Sequence, residues 1–314
     1  MLKSKPKVLP PRNSSKFVNY MREYWQYYAL ILPAVVFLAI FAYAPMYGIQ
    51  IAFRNYKAKQ GYWGSEWVGL KHFIRFVTSE NFWPLIRNTL AISVANLVWT
   101  MGLSIIVSLM LNEVRQKKTK AFIQMVTYAP YFMSVMVVVS MVKVFTDPDS
   151  GIVNLILGLF GKEPINFLLK KEWFVPLHVI SCVWQDLGFA TIIYLATLAG
   201  VDPQIVEAAT VDGANRFQKI IHIDLPTIFP TIVTLFILNC GGLLNVGYER
   251  VLLMQSPLTM EVADTISTYV YRLGIEGGQF SYTTAIGLFN SIVNVILVVT
   301  ANKLSKTLTE TSLW

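Results

Sequence analysis

The chain carries six long stretches of apolar residues with almost no charge among them. They run over Ala29–Phe53, Asn88–Asn112, Ala121–Met141, Phe174–Gly200, about 227–248 and about 281–302. Each is close to or above the roughly 20 residues that a helix needs to cross the hydrocarbon of a bilayer. Strand-like alternation is absent, and backbone groups in lipid must be bonded within the segment. The pattern therefore predicts an all-α membrane protein with six transmembrane helices.

Composition agrees with a membrane protein and changes the meaning of the charge. Hydrophobic residues make up 54% of the 314 residues and charged residues only 14%, against about 25% charged in soluble domains. The net charge of +8 does not point to nucleic acid, because basic residues beside spans orient membrane proteins and contact anionic lipid. Lipid, and no nucleic acid, is the expected partner of these charges.

The distribution of basic residues sets the expected topology. Residues 1–27 form a basic tail, 28–304 a six-helix domain and 305–314 a short C-terminal tail. An even number of spans places both tails on one side, together with the basic loop Glu113–Lys120. This side carries a modest excess of Lys and Arg, so both termini are expected in the cytoplasm of a cell whose plasma membrane the chain crosses several times.

The connector between the fourth and fifth spans, residues 201–227, has its own helix signals. Asp202 suits an N-cap and Pro203 the first helical position, so Gln204–Asp212 is predicted to be a short helix. Gly213 can end it in the left-handed conformation. A second amphipathic piece follows over residues 214–224, and Pro226 is expected to stop it or bend the entry to the next span. On these signals alone, an ordinary interfacial connector is equally possible.

The same connector resembles the EAA signature of ABC importer permeases. Its matching elements are Glu207-Ala208-Ala209, then Gly213, then Ile223-Asp224-Leu225-Pro226. The resemblance implies a type I importer permease fold, in which this loop is the coupling helix that docks on a separate ATPase subunit. The implied coupling residues are Glu207, Ala208, Ala209, Asp212, Gly213, Leu225 and Pro226.

Other stretches resemble the polysaccharide-type, LplB-like subgroup of bacterial sugar permeases. They are residues 111–115, 128–132, 261–272, 284–291 and 312–314. The resemblance implies a non-catalytic subunit that forms half of a pathway for an oligosaccharide or other carbohydrate. Its implied partners are a homologous second permease, two ATP-binding subunits and an extracytoplasmic sugar-binding protein. The chain itself would hold no cofactor, with ATP and Mg on the ATPase subunits.

Polar and aromatic residues inside or beside the spans are candidates for the substrate pathway. They are Asp186, Trp184, Asn239, Asn245, Tyr248, Asn290, Asn294 and Tyr131. A carboxylate within a span is costly, so Asp186 should face a cavity or a partner; a structural hydrogen bond is the alternative. Asn290 and Asn294 share a helical face, whereas Trp184 and Asp186 do not. Polar residues in spans often join helices. Tyr131 stands where many members of the resembled family carry His.

Several other functions lack the residues they would need. No Walker A sequence, metal-ligand spacing or nucleophile–base constellation is present, and both cysteines lie in apolar runs. The competing interpretations are an importer permease for a non-sugar solute, a self-contained secondary transporter, and a membrane-embedded enzyme. The polar segment 249–280 is expected to be an outer gate, a docking surface for a binding protein, or a solvated loop.

Overall fold

The computed structural model describes residues 20–309 and 312–314, so most of the expected N-terminal tail lies outside the described residues. Helix α1, the first long helix in the described part of the chain, spans Trp25–Phe53. It contains a wide (π-helical) turn, in which amides bond five residues back, at Ala39–Tyr43. It tightens to a 3₁₀ helix over Tyr47–Phe53, which packs on the last helix of the chain. Strands β1 (Arg54–Asn55) and β2 (Glu66–Trp67) then form a short antiparallel ribbon.

The remaining helices follow in chain order. They are α2 (Lys71–Val77), α3 (Phe82–Asn112), α4 (Lys117–Tyr128), α5 (Val135–Phe145), α6 (Ile152–Leu159), α7 (Lys171–Leu198), α8 (Pro203–Val211), α9 (Arg216–Cys240), α10 (Tyr248–Met254), α11 (Ile266–Tyr271) and α12 (Phe280–Thr309). Single helical turns at Gly61–Gly64 and Met260–Ala263 complete them. Helix α12 runs five residues past 304, the expected end of the transmembrane domain.

Five helices in the described part of the chain are long and apolar enough to cross a membrane, namely α1, α3, α7, α9 and α12. The third expected span is not one straight helix. Its two parts, Lys117–Phe132 and Val135–Phe145, meet at an angle of 103°. Pro130 tightens the chain into a 3₁₀ turn, and Ser134 then caps α5 by accepting a hydrogen bond from the Val137 amide at 3.3 Å. These local signals start a new helix within an apolar run.

The fifth expected span also ends earlier than the apolar run suggests. Helix α9 stops at Cys240, and a turn at Gly241 and Gly242 leads to α10, which begins at Tyr248. A Cβ atom at Gly241 would lie 2.6 Å from the Val298 side chain of α12. The chain therefore turns where only glycine allows α12 to approach.

Helix α7 is the centre of the fold. It packs along α3 and also contacts α4, α5, α9 and α10. A Cβ atom at Gly188 would lie 2.0 Å from the carbonyl oxygen of Thr127, so α4 approaches α7 at backbone distance. The apolar cluster of Leu109, Tyr194, Leu198 and Ile228 joins α3, α7 and α9 at the end that carries α8.

The polar segment 249–280 belongs to the packed fold and is not a solvated loop. Val251, Met254, Ala263 and Ile266 within it are buried. Asn88 of α3 donates to the carbonyl oxygens of Glu261 and Asp264 at 2.8 and 3.1 Å. Asp264 in turn binds the Arg272 guanidinium, with the shorter contact at 2.6 Å. These hydrogen bonds hold the segment against the N-terminal part of α3.

One exposed ion pair joins this segment to the beginning of α7. Lys171 contacts the Glu261 carboxylate. The hydrogen bond from Lys171, and then its charge, lowers the pKa of Glu261. Because both side chains are largely exposed, the pair should contribute little stability.

Candidate functional site

A chamber of roughly 670 Å³ lies between α3, α7, α9 and the segment that leads into α10. Its wall is apolar in most places, with polar groups at a few positions, as is usual for a ligand cavity. The polar groups come from every surrounding element. We use "the chamber" for this cavity throughout.

A stripe of small polar residues on α3 faces the chamber. It consists of Ser93, Asn96, Thr100 and Ser104. These positions are three or four residues apart and so share one face of the helix. The sequence interpretation missed this stripe because single Ser, Thr and Asn residues in spans usually join helices. The regular spacing is the signal that could have found it.

Helix α7 contributes His178, Cys182 and Asp186, each four residues after the last. Asp186 faces the chamber, as one of the two interpretations of its sequence position requires. Its carboxylate forms no hydrogen bond with any residue in the described ranges. The Asp186 carboxylate interacts electrostatically with the positive charge of Arg250. Trp184 does not line the chamber and is 42% exposed on another face of α7.

Arg250 is a chamber residue that the sequence interpretation did not name as a pathway candidate. It lies in the segment expected to be an outer gate, docking surface or solvated loop, yet it is only 7% exposed. Its guanidinium donates to Ser181 Oγ at 2.9 Å and to Gln185 Oε1 at 2.5 Å, both on α7. Gln185 Nε2 then donates to the Met133 carbonyl oxygen at 2.7 Å. The bonds tie α10, α7 and the bend between α4 and α5 together.

The asparagines divide into two groups. Asn239 and Asn245 line the chamber, as does Tyr248, which stacks on Tyr271 with ring centroids 5.1 Å apart. Asn290 and Asn294 are buried behind the wall. Asn290 donates to Asn245 Oδ1 at 2.8 Å, and Asn294 accepts from the Leu244 amide at 3.2 Å. They share a face of α12, and the contacts they make there support the chamber wall.

Tyr131 lies in the bend after α4 and is not part of the chamber wall. Its ring stacks on Phe189 of α7 at a centroid distance of 4.0 Å. This contact packs the bent pair against α7.

The connector after α7 forms a projecting helix–turn–helix. Asp202 caps α8 by accepting from the Gln204 amide at 2.9 Å, and Pro203 occupies the first turn, as predicted. Gly213 has φ +83°, so it ends the helix in the left-handed conformation. Asn215 and Gln218 then form a reciprocal capping box that starts α9.

Most of the implied coupling residues are open to the surroundings. Glu207, Ala208, Asp212, Gly213 and Pro226 are exposed, and Ala209 and Leu225 are half-buried. No residue of α8 is buried. The large apolar side chains of Ile205, Val211 and Phe217 are 53%, 87% and 70% exposed. Such a surface is costly in water and is typical of a protein–protein contact.

Pro226 does not stop the helix, contrary to one of the two expectations. A wide turn over Ile220–Asp224 precedes it, in which the Leu225 amide bonds back to the Ile220 carbonyl. The turn shifts the hydrogen-bond register before the proline, which has no N–H to donate. Helix α9 therefore runs from Arg216 to Cys240 with a local distortion.

Metal and disulfide chemistry find no support in the described ranges. Residues 20–309 and 312–314 contain no cluster of three or more His, Cys, Asp or Glu side chains that could hold a metal ion. Cys182 and Cys240 are both buried and free.

Apolar membrane-crossing helices around a chamber with polar groups in its wall, and a helical projection at one end, are typical of a membrane transport subunit. Residues 100–306 match the family described as binding-protein-dependent transport system inner membrane component. The chain belongs to this family, which confirms the resemblance to importer permeases. A self-contained secondary transporter and a membrane-embedded enzyme are thereby set aside.

Relatives and solved structures agree with the family. The polygalacturonan/rhamnogalacturonan transport system permease protein YteP of Bacillus subtilis is 47% identical, covering 89% of this chain and 87% of its own length. Protein LplB of the same organism is 42% identical over 96% of both chains. A chain of a bacterial ABC transporter for import of the acidic polysaccharide alginate superposes with a TM-score of 0.86 at 38% identity, covering 94% of this chain and 99% of its own. A chain of a bacterial alginate ABC transporter in complex with an alginate pentasaccharide-bound periplasmic protein superposes with a TM-score of 0.85, also at 38% identity.

Proposed function

We propose that the chain forms half of the translocation pathway of an ATP-driven oligosaccharide importer and receives movement from separate ATPase subunits through α8. The observation that carries this proposal is the projecting α8 with its unpartnered apolar side chains, at the end of a bundle that surrounds the chamber. ATP and Mg would be bound by the ATPase subunits. The exposed Glu207 would pair with a basic group there, while Ala208 and Ala209 permit close approach.

The remaining partners are suggested by the family and by a solved relative. A second, homologous permease would close the pathway, and an extracytoplasmic sugar-binding protein would deliver cargo at the end opposite α8. Docking on cytoplasmic ATPases requires α8 to face the cytoplasm. With α4 and α5 counted as one crossing the number of crossings would be even, and both termini would then lie on that side.

The cargo we propose is an oligosaccharide that carries carboxylate groups. Relatives at 47% and 38% identity carry names or titles that refer to acidic polysaccharides. Arg250 shares the chamber wall with the carboxylates of Asp186 and Glu249. The hydrogen bonds of its buried guanidinium, however, go to neutral acceptors, Ser181 and Gln185. A guanidinium binds a carboxylate through charge-assisted hydrogen bonds. Asp186 and Tyr248 would contact hydroxyl groups and a sugar face. A non-sugar solute finds no such support.

The coupling role is tested by Glu207→Lys and Gly213→Pro in the importer reconstituted with its ATPase subunits and binding protein. Both variants should insert normally but lose most ATP-dependent uptake, since one reverses the docking charge and the other cannot adopt φ +83°. Glu163→Lys, an equal charge change at an exposed position far from α8, is the control. Normal uptake by both connector variants would refute the coupling role.

The cargo is tested with one oligosaccharide in two charge states. Uptake of a trigalacturonate is compared with uptake of its methyl ester, which has the same length and no negative charge. The free acid should be imported and the ester should not compete with it. Equal uptake of the ester, or of a neutral trisaccharide, would contradict an acidic cargo while leaving the coupling role intact.

A further inference from the structure

Two charged side chains pair, and a third lies near them, where α3 ends and α9 begins, outside the chamber. Glu113 directly follows α3, Lys219 closes the first segment of α9, and Asp224 closes the wide turn after it. The Lys219 ammonium forms an ion pair with Glu113 and also attracts the Asp224 carboxylate. The side chain of Asn112, the last residue of α3, lies beside the Asp224 carboxylate. We name Glu113, Lys219, Asp224 and Asn112 the α3–α9 clamp.

The clamp is withdrawn from solvent, unlike the charged residues of α8. Asp224 is 1% exposed, and the side chains of Glu113 and Lys219 are 15% and 21% exposed. A charge in such a place is costly unless it is paired, and removing one partner costs more than removing the whole set. The Oδ2 atom of Asp224 is buried with no hydrogen-bond partner in the described part of the chain. The nearby Lys219 charge therefore compensates two carboxylates, one on each helix.

The wide turn makes this arrangement possible. Lys219 and Asp224 are five residues apart, and in a regular α-helix only positions three or four apart are neighbours. The turn over Ile220–Asp224 bonds each amide five residues back, which brings positions five apart closer to one face. Such turns occur frequently at functional sites. A regular helix would move Asp224 away from Lys219 and Asn112.

The clamp lies between the projecting loop and the chamber. No residue of α8 is buried, so α8 itself makes little contact with the bundle. Through Gly213 it leads into the first segment of α9, which the clamp holds to α3. Helix α3 carries the polar stripe Ser93–Ser104 in the chamber wall. The apolar contacts of Leu109 with the α9 side chains beside the clamp add to the same junction.

We propose that Glu113, Lys219 and Asp224 are positioning residues that transmit a displacement of α8 to α3 and so to the chamber wall. This inference rests on the proposed docking of ATPase subunits on α8. Without the clamp, α8 would still dock and ATP would still be hydrolysed, but α9 would move without α3. The predicted signature is ATP hydrolysis with little import, which a residue needed only for folding would not produce.

The experiment uses Glu113→Lys, Lys219→Glu and the double exchange in the importer assembled with its ATPase subunits and binding protein in proteoliposomes. The measured quantity is ATP hydrolysed per sugar imported. Each single change should raise this ratio by at least about tenfold, because it leaves like charges in a buried site, and the double exchange should restore it to within about threefold. Arg115→Glu, an exposed charge reversal two residues from Glu113, should leave the ratio unchanged.

Unchanged ratios in both single variants, or no recovery in the double exchange, would overturn the clamp. If a charge-reversal variant does not assemble, Glu113→Gln and Lys219→Arg are used in its place. Glu113→Gln must raise the ratio of ATP hydrolysed to sugar imported, and Lys219→Arg must leave that ratio near the value of the unaltered chain. Any other outcome refutes the proposal. Co-purification of the ATPase subunits is measured on the same samples. If the unaltered chain does not retain the ATPase subunits, docking on α8 is refuted. If the subunits are retained and the variants show the same ratio of ATP hydrolysed to sugar imported as the unaltered chain, only the clamp is refuted.

Discussion

Helices α1 and α7 are of nearly equal length but occupy opposite positions in the fold. The most apolar window of α1 has a mean hydropathy of 2.3 and none of it is buried within the described chain. The corresponding window of α7 has a mean hydropathy of only 1.5, yet 39% of it is buried. In a soluble protein, the more apolar helix would be expected at the centre.

This reversed relation between hydropathy and burial arises because the solvent around the helices is lipid. Lipid tails are as apolar as leucine, so hydrophobicity does not drive helices together in a bilayer, whereas small residues and interhelical hydrogen bonds do. Helix α7 has these features in Gly188, Ser181 and Gln185. Helix α1 presents large apolar side chains such as Leu30 and Phe37 to its surroundings. In this protein the helix with the lower hydropathy, α7, is the one against which the other helices pack.

The largest effect is expected from adding one methyl group at Gly188. In Gly188→Ala the new Cβ would meet the Thr127 carbonyl oxygen at 2.0 Å, so α4 and α7 must separate. The cost should reach or exceed the upper end of the ~1–3 kcal/mol typical of overpacking. Thermal unfolding of the purified chain in detergent measures it.

The matched control for Gly188 lies on α1. A Cβ at Gly48 meets no atom within 4 Å, so Gly48→Ala should leave the midpoint unchanged or raise it slightly. Equal decreases of the unfolding midpoint in Gly188→Ala and Gly48→Ala would show that α7 is packed no more tightly than α1.

A smaller effect is expected at the hydrogen bonds that α10 makes with α7. Arg250→Gln removes charge-assisted bonds to Ser181 and Gln185 and leaves Gln185 Oε1 without that donor. The loss should be about 2 kcal/mol, again read from thermal unfolding. The Ser181→Ala, Arg250→Gln double variant should lose less than the sum of the two single changes, because they share one interaction. Strict additivity would show that the two residues act independently.

The smallest effect is expected at the exposed end of α7, as a dependence on pH. Because Lys171 lowers the pKa of Glu261 in the fold, their pair contributes stability above the ordinary glutamate pKa of 4.5. The contribution is lost as pH falls through the lowered value in the folded chain. A slight drop in the unfolding midpoint below about pH 4.5 should therefore be missing in Lys171→Met. An identical pH profile in both proteins would show that the pair contributes nothing.

Local signals made some parts of this structure predictable from sequence. The capped start of α8 at Asp202 and its end at Gly213 depend on neighbouring residues alone, and both were predicted. Asp186, Asn239, Asn245 and Tyr248 were named as pathway candidates and line the chamber. Their role in transport stays a prediction, as does that of the implied coupling residues.

Other parts depend on contacts between distant segments, which an apolar run does not reveal. The bend at Pro130 and Ser134 lies within such a run, and hydropathy alone reads the run as one helix. Arg250 was noted only as one charge in a polar outer segment, and nothing near it in the sequence indicates that its side chain is buried. Its partners, Ser181 and Gln185, are more than 60 residues earlier in the chain.

The bend between α4 and α5 has a consequence for how the protein is made. Gln185, which binds the Met133 carbonyl at the bend, lies 52 residues further along the chain. During synthesis α4 and α5 leave the ribosome before that amide exists. A carbonyl in lipid needs a hydrogen-bond partner, and the Met133 carbonyl lacks this donor until α7 packs against the bend. We therefore expect stable insertion of the bent pair to depend on α7, which follows it in the chain.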